Sequence, residues 1–110
     1  MKNEMINLLE EIKKDYFQWT ARCALAKGEE LTEINQKMIA QFNENLHFEE
    51  GRKYIKVMTG GSVWGFVMKA DDAKFKAGDI LKAAGWAAPA RNKARGNIFN
   101  DLTWVQWTGP

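Results

Sequence analysis

Lys53-Tyr54-Ile55-Lys56-Val57-Met58-Thr59-Gly60-Gly61-Ser62-Val63-Trp64-Gly65-Phe66-Val67-Met68-Lys69 is the stretch on which the fold turns. In its first half Ile55 and Val57 alternate with Tyr54, Lys56 and Met58, which gives a strand two distinct faces. Gly60-Gly61 supplies two residues that accept positive φ, as a two-residue hairpin turn requires. Ser62 to Lys69 is rich in β-branched and aromatic residues and makes the returning strand. The stretch predicts a β-hairpin and, with it, a sheet.

Upstream the period lengthens. Met5, Leu8, Leu9, Ile12, Tyr16 and Trp19 recur at three- and four-residue steps and line one face of a helix predicted over 3–24. Glu10, Glu11, Lys13, Lys14 and Asp15 take much of its other side. Lys27-Gly28 reads as its stop, because glycine adopts the left-handed conformation after a last turn. A second helix is predicted from an N-cap at Thr32 to Leu46, with Ile34, Met38, Ile39, Phe42 and Leu46 on its apolar face.

Downstream, Ala70-Asp71-Asp72-Ala73 and Lys76-Ala77-Gly78-Asp79 read as turns. Ile80 to Trp86 fits a helix by its alanines and a strand by its brevity and Gly85. The strand is preferred, with Ile80, Lys82, Ala84 and Trp86 on one side. Leu102 to Thr108 alternates and predicts a last strand. The expected architecture is α+β, with two N-terminal helices packed on a small, mostly antiparallel β-sheet.

A chain of 110 residues, 45% hydrophobic and 27% charged, builds one domain, 1–110, with its own core. The lone Cys23 excludes an internal disulfide and fits a reducing cytoplasm. No apolar run approaches the ~18–20 residues that span a bilayer, and MKNEMINLLEEIKKD lacks a signal-peptide core. A cytoplasmic protein without a membrane partner is expected. Its net charge of +2 hides a split. Residues 1–50 carry six Lys/Arg against ten acids, a net of −4, whereas 51–110 carry ten against four, a net of +6. Such asymmetry points to a polyanion or an acidic partner for the basic half.

Catalysis is poorly provided for. His47 is the only histidine, Cys23 the only cysteine and Ser62 the only serine, so a zinc site of about four His/Cys ligands has no donor set. Cys23 reads as a buried thiol and His47 as a capping or surface side chain. The acid pairs Glu49-Glu50 and Asp71-Asp72 read as solvated loop residues. No phosphate-loop or dinucleotide fingerprint occurs. A binder is expected rather than an enzyme, with neither cofactor nor metal. A metal-dependent nuclease on Asp71, Asp72 or Glu49 is the least favoured reading.

The better lead is AAPARNKARGN, Ala87 to Asn97, which holds three cations and no acid. Arg91, Lys93 and Arg95 stand at alternate positions and would point one way from an extended loop. Asn92 and Asn97 add hydrogen-bonding groups, and Gly96 would admit a ligand close to the backbone. Guanidinium forks match phosphate, and each contact releases counterions. Expected phosphate contacts are Lys82, Arg91, Lys93 and Arg95, with Trp86 and Trp64 stacking on unpaired bases.

From Gly78 onward the sequence resembles a segment of small proteins of tailed bacteriophages. The shared features are Gly78-Asp79, Lys82-Ala83-Ala84-Gly85-Trp86, Ala88-Pro89-Ala90 and Ala94-Arg95-Gly96-Asn97. The hairpin is similar in style, so the likeness covers about residues 52–100 and leaves the helices outside it. That family has no established activity. The resemblance implies a phage protein made in the host cytoplasm. The leading expectation is a non-enzymatic nucleic-acid binder. The alternative is an inhibitor or adaptor acting on a host protein, in which the same arginines pair with an acidic surface of that protein or the helical face supplies the interface; the helices could also pair with a second copy.

Overall fold

The structure, a computed structural model, describes residues 1–26, Gly28 and 32–110. Two helices, α1 (Lys2–Ala26) and α2 (Glu33–Asn45), precede five strands: β1 (Leu46–Glu50), β2 (Tyr54–Thr59), β3 (Ser62–Met68), β4 (Asp79–Lys82) and β5 (Gly96–Asn97). Each strand lies beside the next in an open sheet of order β1-β2-β3-β4-β5, antiparallel throughout. The α+β expectation of two N-terminal helices on an antiparallel sheet is met.

The stripe on α1 does what its period requires. Met5, Leu8 and Ile12 are buried together with Leu46, Ile55, Val57, Val67, Ile80 and Ile98 on one face of the sheet. Gly28 takes φ +69, as a helix stop would, while Lys27 and the Cys23 thiol lie outside the described residues. Thr32 caps α2, its hydroxyl accepting from the Asn35 N–H at 3.1 Å. None of the described residues of α2 is buried; Phe42 stacks on Tyr16, but Ile34 stays 71% exposed.

The strand expected over Ile80 to Trp86 stops at Lys82: Ile80 is buried, and 84–87 bend away with Trp86 exposed. Three further expectations need correction. The residues from Leu46 to Glu50 are the edge strand β1, not a helix end and a loop. Leu46 and Phe48 pack towards the core and alternate with the polar His47 and Glu49, a two-residue period only five residues long and directly continuous with the helix. The segment 102–108 is not a strand: it forms turns, with one isolated bridge between Gln106 and Gly109. Asp101 drives this, because its carboxylate accepts from the Thr103 N–H and hydroxyl and its carbonyl from the Trp104 indole. Leu102 and Val105, three residues apart, then both reach the core.

The third correction concerns Trp64. The pairing of β2 with β3 slips between Val57 and Met58: Gly65 opposes Val57 and Val63 opposes Met58, leaving Trp64 as the extra residue of a bulge. The bulge turns Trp64 onto the helix-covered face, where it is 4% exposed and its indole N–H donates to the Gln106 carbonyl at 2.8 Å. It is a core residue, and its ring is not offered to a base.

Candidate nucleic-acid interface

The opposite face of the sheet buries a smaller cluster of Phe66, Met68, Phe75 and Leu81. Its cover comes from the basic segment itself. β4 ends at Lys82, Ala84 and Gly85 donate to the Ala88 carbonyl, and residues 83–95 return over the sheet as a strap. A bridge joins Ala83 to the buried Pro89, and the Ala90 and Arg95 N–H groups donate to Lys82 and Ile80, each at 2.7 Å. The small alanines and the proline let this backbone lie close to the sheet. The strap is a fixed element rather than a free loop.

Arg91 is what pins it. One guanidinium nitrogen donates to the Asp72 carboxylate and another to the Tyr54 hydroxyl, both at 2.6 Å, and the group lies 4.8 Å from the Phe75 ring centroid. Asp72 also accepts the Phe75 and Lys74 N–H groups at 2.7 and 2.8 Å, and the Lys53 ammonium lies 3.3 Å away. The Phe75 N–H, the Arg91 guanidinium and the Lys74 N–H hold the Asp72 carboxyl well below the usual carboxylate range. The Arg91 carbonyl accepts from Lys74 Nζ. Arg91 is therefore tied to Asp72 and Tyr54 through both terminal nitrogens, whereas Lys93 and Arg95 form no ion pair with a described residue.

Asn97 is likewise engaged. Its amide donates to the Ala77 carbonyl and to Asp79 at 3.1 and 3.0 Å, and its side-chain oxygen accepts from the Phe99 N–H. Gly96 serves packing instead of ligand approach: a Cβ there would lie 2.4 Å from the Trp104 indole. Asp71 accepts from the Ala77 N–H, so both acids of the Asp71-Asp72 pair organise the loop beneath the strap. His47 bonds the Asn45 carbonyl and Glu49, and these partners, the carbonyl first, raise its pKa above the usual imidazole value.

What remains outward is a smaller set. Trp86, at the crest of the turn, is 59% exposed, and the Lys56 ammonium sits 4.5 Å from its ring centroid. Lys82, Asn92, Lys93 and Arg95 are exposed, and none of these three cations is ion-paired with a described residue. No acid occurs between Asp79 and Asp101. Beside Trp86, a cleft of about 380 Å³ opens over the sheet, lined by Tyr54, Lys56, Phe66 and Ala87 and, at its β1 end, by Glu49 and Glu50. Tyr54 and Lys56 share a strand face by their spacing, but nothing in the sequence indicates that Trp86 folds back to Lys56.

The model of a family of unknown function, DUF7717, matches residues 2–108, and the chain belongs to that family. The match runs through both helices and the whole sheet. No curated protein and no solved structure matches the chain. None of the helices among the described residues is long and apolar enough to cross a membrane.

Proposed function

We propose that this protein binds single-stranded nucleic acid, without strong sequence preference, across the strap between β4 and β5. Lys82, Lys93 and Arg95 contact phosphates, Lys56 assists beside Trp86, Asn92 supplies hydrogen bonds, and Trp86 stacks on a base. The observation that carries this is the company Trp86 keeps: a solvent-facing indole on a braced backbone, with Lys56 over its ring and Lys82, Lys93 and Arg95 exposed on the same strap, none of them ion-paired with a described residue. A fixed backbone lowers the ordering cost of binding, and stacking on an aromatic side chain contributes about 1–3 kcal/mol per base. The likeness of residues 52–100 to tailed-phage proteins supports a setting in a host cytoplasm.

Tryptophan fluorescence titrated with a short single-stranded oligonucleotide tests this. Saturable quenching that is lost in Trp86→Ala is the supporting result. Quenching that is unchanged in Trp86→Ala, or none at low salt, overturns it.

A second reading has its own observation. Phe17, Trp19 and Ile34 expose large apolar surface on the two helices, as a protein partner or a second copy would require. An adaptor acting on a host protein would retain its partner in pull-downs from nuclease-treated lysate; a nucleic-acid binder would lose it.

A further inference from the structure

On the α1 side of the sheet, away from the strap, a cleft of about 490 Å³ separates the second half of α1 from the C-terminal segment. That falls within the ~300–1,000 Å³ of small-molecule sites. Its walls are aromatic. Trp19 and Trp107 lie 5.0 Å apart, tilted by 51°, and Tyr16 backs both rings. Trp107 is half-buried, but Trp19 is 45% exposed, more than packing against its neighbours requires.

The rim is polar and electrically balanced. Gln18 and Arg22 come from α1, Gln106 and Thr108 from the C-terminal segment. Asp15 accepts the Trp107 N–H at 2.9 Å through one carboxylate oxygen, which fixes the C-terminal segment to the helix. Arg22 makes no ion pair with a described residue. One carboxylate and one guanidinium in the same cleft disfavour a ligand with net charge of either sign. Amides, a hydroxyl, a carboxylate and a guanidinium offer donors and acceptors in several directions. The indoles offer flat apolar faces that bury C–H surface.

We infer that this cleft binds a neutral saccharide. A pyranose ring has one apolar C–H face, which lies on Trp19, and a rim of hydroxyls, which meets Gln18, Arg22, Gln106 and the remaining Asp15 oxygen. A phosphate would pair with Arg22 only while facing Asp15, and a cationic group would pair with Asp15 only while facing Arg22. The site shares no residue with the strap, so the two assignments stand or fall separately.

The test follows the tryptophan indole N–H signals of the full chain by NMR during titration with cellotetraose, maltotetraose and chitotetraose at millimolar concentration. At least one sugar should move the Trp19 and Trp107 signals saturably and leave Trp86 in place. Trp19→Ala should weaken that binding about tenfold or more, as loss of a central aromatic anchor does. Should Trp19→Ala fail to fold, Gln18→Ala, on the exposed face of α1, carries the test and should weaken binding measurably. No movement with any of the three sugars, movement at Trp86 alone, or affinity unchanged in Gln18→Ala would overturn the assignment.

Discussion

The two faces of this sheet are covered in opposite ways. Beneath α1, Met5, Leu8, Ile12, Ile55, Val57, Val67 and Ile80 meet as apolar side chains, and burial alone organises them. Beneath the strap only Phe66, Met68, Phe75 and Leu81 are buried, and the cover is fixed by a polar pin joining Tyr54, Asp72 and Arg91. The helix face therefore carries the stability. The strap face carries less of it, and its surface is left to cations and an indole that the fold does not consume.

Breaking the helix face should have the largest effect. Ile12→Ala removes a fully buried side chain and should lower unfolding stability by about 2–5 kcal/mol in a urea titration. Arg91→Ala should lower it less. Its signature should be local: faster amide exchange at Ala90 and Arg95, and weaker oligonucleotide binding although no phosphate contact is removed. Because the Asp72 pKa is lowered from 3.8, the contribution of the pin is present above that value and is lost only as the pH falls through the lower folded value. Strap exchange should therefore stay slow until the solution is strongly acidic; loosening near pH 4 would contradict the pin.

The double variant Lys93→Ala/Arg95→Ala sharpens the comparison. It should leave stability within about 0.5 kcal/mol, yet make the slope of log affinity against log salt shallower by about 1.4. The smallest effect belongs to His47. Its folded pKa is raised above 6.5, so its contribution is full below that value and is lost as pH rises through the folded one. His47→Gln should remove that slight dependence from denaturation curves taken between neutral and mildly acidic pH.

The same contrast explains what could be read from the chain. The stripe from Met5 to Trp19, the Thr32 cap and the alternation around Gly60-Gly61 are local periodic signals, and helices and hairpin followed from them. The bulge that turns Trp64 inwards depends on register between two strands, which no single strand displays. At Leu102 to Thr108 the alternation was present but lost to the local turn chemistry of Asp101. For the strap, sequence reading gave its charge but not which charges are free. Arg91 lies 19 residues from Asp72 and 37 from Tyr54, and only the folded chain shows that it is spent on them. Lys93 and Arg95, two and four positions further on, have no such partner among the described residues.

The most direct measurement is the affinity of the unmodified protein for a fluorescent single-stranded oligonucleotide across a series of salt concentrations, read by anisotropy. Three or four phosphate contacts predict a straight line with a slope of about −2 to −3 in log affinity against log salt. A flat line, or no binding at the lowest salt, would contradict the claim that the strap is a nucleic-acid interface.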